Sequence, residues 1–339
     1  MNLGTRYLGL NLRNPVVASA GPLSQTVDGV RALASAGVGA VVMYSLFEEQ
    51  VRRELERDAA LEEAHEESFA EALSYFPAVA TPTERGVADT YVDLVRRAAA
   101  AVDVPVIASI NGASLGGWVE IAQQLADAGA SAIELNIYFV PGNLTMTGAE
   151  VEQRHLDIVA AVRQAVALPI AVKLSPFFSS PGNMALRLIV AGADGLVLFN
   201  RFLQPDVDIE TLSVKPSVAL SNRFEGRLPR TWIATLSEHT SASLAATSGV
   251  EESADVVRYL LAGADVVMST SALVRHGAGY AANLIAGLQD WMTRHGYSSV
   301  DDFRGLLAVP ADADANALQR AGYVAALENA RRTYGTLHR

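Results

Sequence analysis

Eight short apolar runs punctuate the chain, at residues 15–19, 40–45, 105–109, 132–136, 169–174, 195–200, 242–247 and 266–270, and amphipathic stretches or long polar segments separate them. Runs of this length bounded by turn residues read as buried strands. Four of them are announced by the same device: Ala36-Gly37, Ala128-Gly129, Ala191-Gly192 and Ala262-Gly263 each close a helical pattern, the glycine serving as a left-handed cap, and an apolar strand follows. Three others begin at Pro15, Pro105 and Pro169, and proline at the first residue of a strand sacrifices no ladder bond.

Eight strands, each followed by a helix or a long loop and none with the character of an edge, predict an α/β fold of the (β/α)8 barrel type. A three-layer α/β sandwich is the competing arrangement. In the barrel all strand exits gather on one face. Ala20, Gly21, Ser45, residues 109–111, Asn136, Lys173, Asn200, residues 247–249, Thr270 and Ser271 fall there, and polar or glycine residues at strand exits are what a site requires.

Two segments interrupt the regular unit. Residues 47–87, rich in Glu, Arg and Ala, read as a solvated helical insertion with i,i+4 charge pairs, whose end, Leu73-Ser74-Tyr75-Phe76-Pro77, folds over the barrel mouth. Residues 204–229 are too long for an ordinary turn, and Val214-Lys215-Pro216-Ser217 is expected to form a small hairpin shielding the same face. The division is therefore a barrel over 1–310, with the insertion at its mouth, and a helical extension over 311–339 that packs on the barrel or on a partner.

Composition narrows the function. No apolar stretch reaches the roughly 18 residues that span a bilayer, and the first residues lack a signal pattern, so a soluble cytoplasmic protein is expected. The absence of cysteine excludes disulfides, thiolate metal sites and a cysteine nucleophile. A net charge of -11 argues against a nucleic-acid or membrane-surface role. None of the six histidines sits at a strand exit with a ligand spacing, so no metal site is expected, and no nucleophile elbow marks a hydrolase.

What remains is Lys173. A lysine at the end of the apolar run Pro169-Ile170-Ala171-Val172-Lys173-Leu174 is costly unless something anionic meets it, which marks it as the centre of an active site. Thr247-Ser248-Gly249 and Ser269-Thr270-Ser271 end the last two strands, and small residues there let backbone N–H groups reach phosphate oxygens. A helix-capping role for the same hydroxyls is the alternative.

In their order and spacing, Tyr7-Leu8-Gly9-Leu10 with Asn14-Pro15, Glu134-Leu135-Asn136, residues 172–176, Thr247-Ser248-Gly249-Val250, Ser271-Ala272-Leu273 and Gly296-Tyr297 with Asp302-Phe303 resemble the dihydroorotate dehydrogenases, specifically a divergent branch of class 1. The resemblance implies an FMN-dependent oxidoreductase of the CH–CH type, acting on a small molecule and assembled as a homodimer. It places Lys173 beside the flavin N1–C2 carbonyl edge, where it serves flavin reduction more than folding. It sets Ser19, Ala20 and Gly21 against the isoalloxazine, with Ser45 also at the cofactor, and Asn136 and Asn200 at flavin and substrate. Ser248, Gly249, Thr270 and Ser271 become the phosphate cradle.

The departures from the family pattern concern the substrate. Phe139 stands where class 1 enzymes carry a cysteine base, with Tyr138 beside it as the hydroxyl candidate for that role. Tyr44 replaces a substrate lysine, and the run containing Tyr75 replaces an asparagine-glycine loop. Dihydroorotate is thus expected to be a poor substrate. Two other readings stay open: a flavin-binding sensor or scaffold without catalysis, and a lyase using Lys173 as a Schiff base.

Overall fold

A computed structural model describes residues 1–53, 86–112, 118–139, 141–201, 205–215 and 219–335. Eight parallel strands close in sequence order into a barrel: β1 (Val16–Ala18), β2 (Ala40–Phe47), β3 (Val106–Asn111), β4 (Ala132–Asn136), β5 (Ile170–Leu174), β6 (Gly195–Leu198), β7 (Ser243–Ala246) and β8 (Val266–Ser269). β8 returns to pair with β1 through Val267 and Val16, which completes the closure. Every strand predicted from the sequence is present. The sixth ends at Leu198, two residues early, although Asn200 N–H still donates to the Leu174 carbonyl at 2.7 Å.

Around the strands lie α1 (Val27–Ser35), α2 (Val87–Ala101), α3 (Trp118–Asp127), α4 (Gly148–Ala165), α5 (Pro181–Val190), α6 (Arg227–Leu236) and α7 (Ser253–Ala262), each following the strand of the same number. α8 (Ser271–His276) and α9 (Tyr280–His295) follow β8. The four glycines after the Ala-Gly steps, Gly37, Gly129, Gly192 and Gly263, all adopt left-handed backbone with φ between 90 and 119°. This geometry ends each helix and turns the chain into the next strand.

Strand alternation divides the apolar side chains into two clusters. Val17, Val42, Ile107, Ala132, Ala171, Val197 and Ala245 fill the barrel, while their neighbours Val16, Val41, Ala108, Ile133, Val172, Leu196 and Leu244 pack against the helices. An N-terminal hairpin pairs Thr5–Tyr7 with Leu10–Leu12 and contributes Tyr7, Leu8 and Leu12 to the inner cluster, plugging the barrel. Ser243 Oγ receives the Leu8 N–H at 2.9 Å, and Thr5 Oγ1 donates to the Asp265 carbonyl at 2.9 Å.

The interruptions are only partly described. Residues 48–53 are helical, as expected of the insertion's start, and the predicted mouth segment with Tyr75 and Phe76 lies outside the described residues. A hairpin is present after β6, and Val214 and Lys215 of the expected run lie in its second strand. Asp206–Asp208 pairs with Ser213–Lys215, and Pro216 and Ser217 lie outside the described residues. α10 (Ala315–Tyr334) is the helix expected near the C-terminus, begun by an Asp314 cap. Leu318, Tyr323, Val324 and Leu327 on it are each 47 to 61% exposed, so this helix buries little on the barrel.

One irregularity shapes the site from below. The register of β2 against β3 shifts between Val42 and Ser45, a bulge that leaves a gap in the ladder. The Tyr91 phenol from α2 fills it, accepting from Ser109 N–H at 2.9 Å and donating to the Ser109 carbonyl at 2.8 Å. Tyr91→Phe strands both backbone groups in a dry interior, and a cost of about 1–3 kcal/mol is expected in the urea unfolding free energy.

Candidate active site

Lys173 is the penultimate residue of β5, its side chain on the inner face. Its ammonium sits 3.4 Å from Glu134 Oε1 and 3.4 Å from Ser19 Oγ, with only 8% of the residue exposed. An ammonium has three donors, and these two long contacts leave one to meet a ligand in the cleft that Lys173 lines. Across the register from Lys173 stands Asn136 of β4, whose Oδ1 accepts from Asn200 Nδ2 at 2.9 Å. Two asparagines 64 residues apart are thus joined over the barrel mouth.

The cleft, about 130 Å³, runs from Ser19, Ala20 and Lys173 past Asn200 and Arg201 to residues 247–250 and 268–271. Its far end is a group of hydroxyls. Ser271 Oγ accepts from Ser221 N–H at 3.0 Å and from Ser221 Oγ at 2.9 Å, and Ser221 Oγ receives Gly249 N–H at 3.4 Å. Ser248 and Gly249 both have left-handed backbone, φ 75 and 68°, and a non-glycine residue in that region is typical of a functional turn. Thr270 Oγ1 is turned to the Ala20 carbonyl at 3.2 Å, and Gly21 is pressed so closely on Thr270 that a Cβ there would lie 2.5 Å from its methyl group. Hydroxyls, glycines and one buried ammonium make a lining suited to an anionic, polyhydroxylated ligand.

Lys173, Asn136, Asn200, Ser19, Ala20, Ser248, Gly249, Thr270 and Ser271 are therefore brought together as a group, with Gly21 against Thr270. Ser45 is tied to it through Ser109, whose Oγ lies 2.8 Å from Ser45 Oγ and 3.5 Å from Glu134 Oε1. Tyr44 is placed elsewhere. The β2 bulge sets Ser45 opposite Ser109 and leaves Tyr44 half-buried against the outer cluster, edge-on to Tyr91 at 5.1 Å. Tyr138 and Phe139 lie half-buried in the loop after β4, and the Arg154 guanidinium covers the Phe139 ring at 4.4 Å.

Behind this loop His155 of α4 is buried, its Nδ1 2.8 Å from the Val151 carbonyl and its ring edge-on to Phe178. Burial lowers its pKa below the usual histidine value. The unfolded chain then binds the extra proton more readily, so the stabilisation is complete above the unfolded value of about 6.5 and is lost as pH falls towards the folded one. His155→Gln is expected to flatten the fall in urea midpoint as pH drops below about 6.5.

Sequence reasoning missed two members of the group. Ser221 comes from the long segment after β6, where nothing local marks it. Glu134 carried a legible signal: in Ala132-Ile133-Glu134-Leu135-Asn136 it shares the inward face with Ala132 and Asn136, and it is 1% exposed. Among the described residues no group of three or more His, Asp or Glu could hold a metal ion, and no helix is long and apolar enough to cross a membrane.

The family model for dihydroorotate dehydrogenase matches residues 83–292, more than half of the chain. This chain belongs to the dihydroorotate dehydrogenase family. Three relatives are each named dihydroorotate dehydrogenase B (NAD(+)), catalytic subunit. That of Methanothermobacter thermautotrophicus is 28% identical over 326 residues, covering 90% of this chain and 98% of its own. The Bacillus pumilus protein is 30% identical over 213 residues, 60% of this chain and 67% of its own. The Pyrococcus abyssi protein is 25% identical over 314 residues, 90% and 98%. Dihydroorotate dehydrogenases are oxidoreductases, and flavin-dependent oxidoreduction is the general chemistry of the family to which this barrel belongs.

Proposed function

We propose that this protein is an FMN-dependent oxidoreductase of the CH–CH type whose preferred substrate is not dihydroorotate. The observation that carries the cofactor reading is the buried Lys173 ammonium facing, across one cleft, the linked hydroxyls of Ser221 and Ser271 and the left-handed turn at Ser248-Gly249. FMN would supply hydride acceptance and donation there. Ser248, Gly249, Thr270 and Ser271 would hold its phosphate, and the first-turn N–H groups of α8, which have no intrahelical acceptors, add donors. Ser19, Ala20 and Gly21 would support the ring. The spare donor of Lys173 would meet negative charge at the ring's carbonyl edge, and Asn136 and Asn200, each fixed by the other, would orient the substrate.

The same geometry disfavours a Schiff-base lyase. A lysine nucleophile attacks as the neutral amine, and Lys173 lies in an ion pair with a buried carboxylate. Phe139 supports the departure from dihydroorotate: a ring without an ionisable group, covered by Arg154, occupies the loop position where the resembled enzymes carry their base. A substrate that needs less proton abstraction and fewer cationic contacts than this polar carboxylate is favoured, and an aromatic or more apolar molecule fits that description. The test is anaerobic mixing of flavin-loaded protein with dihydroorotate while following bleaching of the flavin absorbance. Little or no bleaching is expected; bleaching within seconds at sub-millimolar substrate would restore dihydroorotate as the substrate. Purified protein that neither carries nor takes up FMN would overturn the cofactor reading itself.

A further inference from the structure

Glu134 is a buried titratable group to which neither the proton chemistry nor the cofactor lining assigns a role. It lies one step deeper in the barrel than the site: β4 pairs Asn136 with Lys173 and Glu134 with Ala171. A group at that depth, beneath Lys173, is screened from a substrate entering at the mouth, so it is not a replacement base. Its Oε1 is shared by two donors, the Lys173 ammonium at 3.4 Å and Ser109 Oγ at 3.5 Å, while Oε2 is buried with no hydrogen-bond partner. A carboxylate held this way in a dry core is costly unless its charge is used. The chain has only two lysines, Lys173 and the exposed Lys215, so the pairing places its one buried lysine ammonium over a buried carboxylate.

We infer that Glu134 is a positioning residue that fixes the Lys173 ammonium at the barrel mouth and, by its own negative charge, restrains how strongly Lys173 favours electrons on a bound flavin. This role rests on the FMN reading. Its signature is one of sign. Removing the carboxylate charge while keeping its shape, as in Glu134→Gln, leaves the positive charge of Lys173 unopposed, so a ligand site beside it becomes more receptive to an anion or an electron. A purely structural Glu134 predicts the reverse, because a loosened Lys173 behaves like a missing one.

Sulfite affinity of the oxidised, flavin-loaded protein reads that sign, since tight sulfite binding reports a flavin environment that favours negative charge. Glu134→Gln is expected to bind sulfite about tenfold more tightly than wild type, with a flavin midpoint about 30 mV higher, the two-electron equivalent of that factor. Lys173→Gln is expected to weaken sulfite binding, and Glu134→Asp to stay near wild type. A second measurement needs no flavin. With lysine labelled at Cε, the apoprotein gives two side-chain resonances, and in Glu134→Gln the Lys173 resonance should move at neutral pH while that of the exposed Lys215 stays put. Unchanged or weaker sulfite binding in Glu134→Gln, or a Lys173 signal indifferent to the substitution, would overturn the role of Glu134 alone. Wild-type protein without FMN affinity would overturn the cofactor reading first, and with it the restraint on flavin.

Discussion

Lys173→Ala is expected to slow reduction of the bound flavin by about a hundredfold or more, the scale on which loss of one charge-stabilising donor is felt. Stopped-flow reduction at full flavin occupancy measures it. The sequence-based expectation is that this lysine matters for reduction more than for folding, and its pairing with Glu134 adds a stability cost beside that role. Glu134, 1% exposed, loses its cation when Lys173 is truncated, and breaking one side of a buried pair costs up to about 3–5 kcal/mol. The long 3.4 Å separation argues for the lower end of that range. Lys173→Ala should therefore be both slow and less stable, and the double variant Lys173→Met with Glu134→Gln should regain most of the stability while remaining slow. Equal reduction rates in the double variant and the parent would remove Lys173 from the chemistry.

Gly249→Ala is expected to lose flavin affinity and stability together. The glycine has φ 68°, a region in which a side chain costs about 1–2 kcal/mol. Its Cβ would also lie 2.6 Å from the Gly226 nitrogen and 2.9 Å from the Asn222 carbonyl, both backbone atoms that cannot swing aside. From sequence, the need for glycine reads as room for a phosphate; in the fold, a side chain would first meet the turn that carries Ser221. Relieving that clash moves Ser221 away from Gly249 N–H and Ser271, and the hydroxyl group disperses. FMN titration of the apoprotein should show at least about a tenfold weaker affinity, alongside a lower urea midpoint. Retained affinity and stability would show that the turn at Ser248-Gly249 has no part in holding the ligand.

The barrel was legible because its punctuation is chemical. Proline can start a strand and glycine can end a helix for reasons that do not depend on tertiary context, so both kinds of boundary survive in the linear text. Lys173 was legible for a related reason, since a cation in an apolar run needs an explanation wherever the run ends up. The faces of β2 were not. A bulge between Val42 and Ser45 reverses which of Tyr44 and Ser45 points inward, and no local feature of Ala40–Phe47 announces a register shift that depends on β3 and on a phenol from α2. Ser221 was hidden differently, because it reaches the site from the far end of a long segment. Glu134 was readable from its inward alternation, yet its meaning comes only from the ammonium of a neighbouring strand.

The plugging hairpin bears on the order in which the chain can acquire its structure. Residues 5–12 are made before the strands they plug, but the groups that receive them, Ser243 beside Leu8 and Asp265 beside Thr5, are separated from them by 235 and 260 residues. Loop-closure entropy opposes such contacts until the intervening strands have assembled. During synthesis Tyr7, Leu8 and Leu12 therefore wait exposed while most of the barrel emerges, and their docking coincides with the pairing of β8 onto β1. Burial of the Tyr7 ring, followed by fluorescence or hydrogen exchange during refolding, should thus report the final closure of the barrel and not its nucleation.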